Sequence, residues 1–121
     1  LVVEDMRSLR VILARLLRKL GHEVETVENG AEALDKLDSF MPEIIFSDIS
    51  MPGMTGYELA RRLRARSDTA GLLLVAMTGY GQAADRDKGL EAGFDEHLVK
   101  PVDVQQLQRL FQERSQVAQD K

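Results

Sequence analysis

The chain of 121 residues has no cysteine and no tryptophan, and only three prolines. The lack of cysteine excludes a disulfide framework and a thiolate zinc site. No apolar run reaches the ~18 residues a membrane-spanning helix needs, and no secretory signal pattern is present. Basic charge is also short: 16 Lys and Arg against 20 Asp and Glu leave a net charge of -4. Phosphate backbones demand a basic patch, so nucleic acid is not expected as the direct ligand of this domain. These absences fit a cytoplasmic location, with no membrane contact by this domain.

What is present describes an ordinary globular domain. Apolar residues make up 44% of the chain and charged residues 30%, enough for one core and too apolar for disorder. A single domain over 1–121 is expected, with no linker, internal repeat or low-complexity tract. The chain opens on Leu1-Val2-Val3, already inside an apolar strand and without an initiating Met. The expectation is a strand truncated at its start, in a piece of a longer protein or behind a disordered leader. From about 113 onward the residues are polar, and a frayed tail is expected.

Five strand-helix units follow in order. Leu1-Val2-Val3 is the first strand, and Leu9, Leu13, Leu16, Leu17 and Leu20 recur at helical spacing until Gly21. His22 to Val27 is a more polar edge strand. Asn29 and Glu32 mark a capped helix with Ala33, Leu34 and Leu37 on its inner face. Glu43 to Ser47 is the third strand, Met51-Pro52-Gly53-Met54 a turn, and Thr55 with Glu58 another helix start. Leu72 to Ala76 is a strand covered on both faces. A short polar helix over Gly81 to Glu91, a strand over Glu96 to Val99 and a helix capped by Asp103 complete the pattern. Alternating strands and helices give an α/β fold: a doubly wound, five-stranded parallel sheet with helices on both faces.

Parallel connectivity puts the carboxyl ends of all strands on one rim, where such sheets bind ligands. There Glu4-Asp5 closes the first strand, Asp48 the third, Thr78 the fourth and Lys100 the fifth. Each alone is a weak signal, since an acid after a strand commonly serves a turn or a solvated loop. Four such positions on one rim are a strong one. Three carboxylates and one ammonium sum to -2, and like charges at ~4 Å repel by a few kcal/mol. A hard divalent cation cancels that sum, and Mg²⁺ takes oxygen ligands. With metal bound, Lys100 and Thr78 can meet the charge of an incoming phosphoryl group, and Asp48 is the nucleophile free to accept it.

These residues carry a family likeness. Glu4-Asp5, Asp48 within Ser47-Asp48-Ile49-Ser50-Met51-Pro52-Gly53-Met54-Thr55-Gly56, Met77-Thr78-Gly79 and Lys100-Pro101 together resemble the receiver domain of two-component response regulators. The resemblance implies a flavodoxin-like fold with strand order 2-1-3-4-5. It implies that Asp48 accepts a phosphoryl group from a phosphohistidine on a histidine kinase or histidine phosphotransfer protein, with Mg²⁺ required. Asp5, Asp48 and the Ser50 backbone carbonyl would ligate the metal, and Glu4 through water. Lys100 would pair with phosphoryl oxygens, and its bond to Pro101 would be cis. Thr78 and His97 would form the switch, although most relatives carry Tyr or Phe where this chain has His97. Ser50 and Tyr80 would flank attacking water, Tyr80 as a shield for the acyl phosphate. Gly79 leaves the site open to a donor. The domain would promote its own phosphorylation and dephosphorylation without turning over an external substrate. A homodimer through the last helix-strand-helix face is one further implication.

Two other readings compete. A metal-dependent phosphatase with an aspartyl nucleophile typically has a second Asp two residues on, where this chain has Ser50. A structural, non-phosphorylated receiver-like module would not need every key position filled. The Gln-rich last helix points to a hybrid histidine kinase or phosphorelay parent. Met51, Met54 and Met77 are expected to pack, and Arg61, Arg62, Arg64 and Arg66 to form a solvated helix face.

Overall fold

The structure, a computed structural model, describes residues 1–79 and 83–119. Its elements run β1 (Val2–Val3), α1 (Arg7–Lys19), β2 (Thr26–Val27), α2 (Gly30–Lys36), β3 (Ile44–Asp48), α3 (Gly56–Ala65), β4 (Leu73–Thr78), α4 (Ala83–Ala92), β5 (Glu96–Val99) and α5 (Val104–Gln119). All strand pairs are parallel, in the order β2-β1-β3-β4-β5. That is the order implied by the resemblance.

Alternation along the strands divides the core in two. Val2, Phe46, Val75, Met77 and Leu98 face α1 and α5, meeting Leu13, Leu17, Leu107 and Leu110. Val3, Ile45, Leu74 and Ala76 face the other way, meeting Ala33, Leu59, Leu63 and Ala92. Because adjacent strand residues point to opposite faces, a run such as Leu74 to Met77 must be apolar throughout.

The helix starts follow their sequence signals. Asn29 and Thr55 accept from the amides of Glu32 and Glu58, and Asp103 from that of Gln106. Glu32 does not reach back to the cap, however: its carboxylate accepts from Glu28, one residue earlier. Gly21 and Gly93 end their helices in the left-handed region, with φ of 94° and 118°. Most boundaries shift by one or two residues, and two differ by more. β2 is confined to Thr26–Val27 rather than starting at His22. α5 continues past Glu113 to Gln119, because Gln, Arg and Ala are good helix formers even without an apolar stripe. The Lys100-Pro101 bond is cis. No helix among the described residues is long and apolar enough to cross a membrane.

Candidate functional site

The register of β1 on β3 pairs Val3 with Ser47, so the next residues, Glu4 and Asp48, emerge side by side on the carboxyl rim. Asp48 is the last residue of β3 and Thr78 of β4. Lys100 follows β5 directly, and its amide donates to the Thr78 carbonyl at 2.7 Å. Glu4 and Asp48 are buried, at 2% and 5% exposure, whereas Asp5 is exposed. Oxygens of all three carboxylates lie within 4.8 Å of one another.

One ammonium holds the buried pair. Lys100 Nζ lies 3.0 Å from Glu4 Oε2 and 3.1 Å from Asp48 Oδ1. The Met6 amide donates to Glu4 Oε1 at 3.2 Å and the Ser50 amide to Asp48 Oδ1 at 3.3 Å. Burial raises both acids above the usual carboxylate range, and Lys100 only partly offsets it. Burial alone would lower the Lys100 ammonium. Its two carboxylate partners outweigh that and hold it above its usual value. The cluster has three acids and one base, hence -3 + 1 = -2 when ionised. Clustered hard oxygen donors with surplus negative charge fit Mg²⁺ or a similar dication.

The loop after β3 is closed by a glycine. Gly56 donates its amide to the Ile49 carbonyl at 2.9 Å. A methyl group there would collide with the Asp48 carbonyl oxygen and stand 2.8 Å from Ile49 Cα. Only a residue without Cβ lets the start of α3 approach the backbone of Asp48 this closely.

The remaining expected residues divide by position. Thr78 is buried at the end of β4, Gly79 and Ser50 are exposed, and a methyl at Gly79 would meet open space. His97 lies away from the acids, half-buried on β5 opposite Ala76. There it lines a surface cavity of about 250 Å³ with Gly89, Leu90, Phe94 and Glu96. Tyr80 lies outside the described residues. Met51 and Met77 are buried, and Met54 packs on the core, as expected.

Arg64 corrects the expectation of a solvated arginine face. Its guanidinium donates to the carbonyls of Gly93 (2.8 Å), Ala70 (2.8 Å) and Leu72 (2.7 Å) and to Asp95 Oδ2 (2.7 Å). Arg61 and Arg62 are exposed as expected. Nothing near Arg64 in the sequence signals this, because Gly93 and Asp95 are 29 and 31 positions away.

The family model for the response regulator receiver domain matches residues 1–112. The chain belongs to this family. It is 39% identical over 106 residues to the phosphate regulon transcriptional regulatory protein PhoB of Rhizobium meliloti, covering 88% of this chain and 47% of that protein. The receiver thus spans about half the length of that relative. Among solved structures it resembles the chemotaxis protein CheY4 of Vibrio cholerae, with a TM-score of 0.87, 31% identity and 93% of each chain covered. It also resembles the receiver domain of a sensor histidine kinase from Pseudomonas aeruginosa, described with a magnesium ion in its active site cleft. There the TM-score is 0.83 at 29% identity, covering 93% of this chain and 92% of the other. The chain is therefore a receiver domain of two-component signal transduction.

Proposed function

We propose that this receiver accepts a phosphoryl group on Asp48 from a phosphohistidine of a histidine kinase or histidine phosphotransfer protein, with Mg²⁺ as cofactor. One observation carries the reading: Lys100 bridges two buried acids beside a third, at 3.0 and 3.1 Å. A carboxylate so placed has little reason to be in a core, since burying it costs stability. That cost supports a reactive role for Asp48. An Asp48 oxygen attacks phosphorus, the phosphorus–nitrogen bond to the donor imidazole breaks, and an acyl phosphate forms on Asp48. The released imidazole keeps the bonding pair.

Asp5, Asp48 and the Ser50 carbonyl would hold the metal, with Glu4 beside them. Bound Mg²⁺ would offset the negative charge of the acids and of the phosphoryl oxygens. Lys100, released in part from Asp48, would pair with a phosphoryl oxygen. Thr78, at the end of the neighbouring strand, would offer its hydroxyl. Exposed Gly79, with open space where a side chain would stand, leaves room for the donor. Thr78 and His97 would transmit the change, since the new group adds roughly two negative charges at the rim. Relatives named as a transcriptional regulatory protein and as a sensor histidine kinase both carry this domain. The reading therefore attaches to the domain and not to one output.

The test is labelling with acetyl phosphate, with and without Mg²⁺. Wild type and Asp38→Ala should be labelled only when Mg²⁺ is present, and Asp48→Ala not at all. Equal labelling of Asp48→Ala would overturn the assignment.

A further inference from the structure

The loop from β1 to α1 supplies two of the three clustered acids, Glu4 and Asp5. Yet α1 starts without a side-chain cap at Met6 and without an acid in its first turn. The loop is held from within the helix instead. Arg10 keeps only 13% of its side chain exposed. Its Nη1 donates to the Glu4 carbonyl at 2.9 Å and approaches that of Asp5 at 3.5 Å. Its Nη2 lies 3.4 Å from Glu28 Oε1. Glu28 is fixed in turn, because its amide donates to Glu32 Oε2, in the first turn of α2, at 2.8 Å. One guanidinium therefore ties the acid-bearing loop to the start of α2. A planar fork with five donors can serve two carbonyls and a carboxylate at once; an ammonium is a point charge without that geometry.

We propose that Arg10 is a positioning residue for metal binding: by fixing the backbone of Glu4 and Asp5, it aims their carboxylates at Asp48. The inference rests on the proposed Mg²⁺ site and names a residue that supports it. Two roles for Arg10 make opposite predictions. As a charge, it repels a nearby dication, so its removal should tighten binding. As a support, it orders two ligands, so its removal should loosen binding. Loss of a partner that supports metal ligands typically costs roughly 10–100-fold in affinity.

The test is Mg²⁺ titration by calorimetry on wild type, Arg10→Met, Arg10→Lys and Arg18→Met. Arg18 is a control on the same helix, since it also donates to a carbonyl, that of Val24 at 3.0 Å, but away from the acids. The expected result is about tenfold weaker binding for Arg10→Met, a smaller loss for Arg10→Lys, and wild-type affinity for Arg18→Met. Wild-type or tighter binding by Arg10→Met would overturn the proposal. If Arg10→Met does not fold, Arg10→Lys decides alone: weaker binding supports the proposal, and wild-type affinity overturns it, because the guanidinium fork then plays no part in holding the loop. Absence of Mg²⁺ uptake by wild type would instead remove the metal reading, and this inference with it.

Discussion

At the scale of single residues, the site is a contest between burial and charge. Glu4 and Asp48 are raised carboxylates, so the folded state holds their protons more tightly than the unfolded chain does. The stability they contribute is fully present below the unfolded carboxylate values and is lost as pH rises through the folded ones. Metal-free Asp48→Asn removes one such acid. It should therefore melt a few degrees above wild type near neutral pH, and the gap should close as the solution is acidified. Thermal melts across pH check this; an unchanged gap at all pH values would show that Asp48 ionisation does not strain the fold. Lys100→Met acts in the opposite direction. It leaves Glu4 and Asp48 together without their shared cation, and removing one partner of a buried pair costs ~3–5 kcal/mol. Lys100 keeps some exposure, with 22% of its side chain accessible, so the loss should fall at the low end. Urea denaturation at neutral pH measures it.

Among the elements, legibility followed the range of the interaction. Caps at Asn29, Thr55 and Asp103 act over three residues, and each was readable from the sequence. The rim acids were readable because a parallel sheet brings together whatever closes its strands. Arg64 was not, because two of its four partners, Gly93 and Asp95, arrive from the distant segment between α4 and β5. Nor was Arg10, whose guanidinium meets a loop and not a neighbouring side chain on its own helix. The short β2 was missed for a similar reason: edge strands end where pairing stops, not where composition changes. Two glycines separate these effects experimentally. Gly93→Ala meets both a left-handed backbone and Arg64 Cγ at 2.6 Å, whereas Gly21→Ala meets the backbone restriction with nothing within 4 Å. Each should lose ~1–2 kcal/mol from the backbone alone. The additional loss in Gly93→Ala, measured by denaturant midpoint, reports the cost of displacing Arg64. Equal losses would mean that Arg64 yields freely.

For the molecule as a whole, two apolar layers hold a sheet whose carboxyl rim is left polar. Leu107, with no exposed surface, lies in the layer under α1 and α5. Leu107→Ala should cost ~2–5 kcal/mol, whereas Leu90→Ala, at a position 62% exposed, should stay within ~0.5 kcal/mol. Comparable losses in chemical denaturation would contradict this division of the core. The raised acids on the rim bear on how the proposed dication would enter the site. A dication entering a pocket that still retains protons must expel them into solution. Its heat of binding in mildly acidic medium would then include the ionisation enthalpy of the buffer. Isotherms recorded in two buffers of different ionisation heat should diverge there and converge at alkaline pH, the outcome expected if acidification competes with the proposed magnesium.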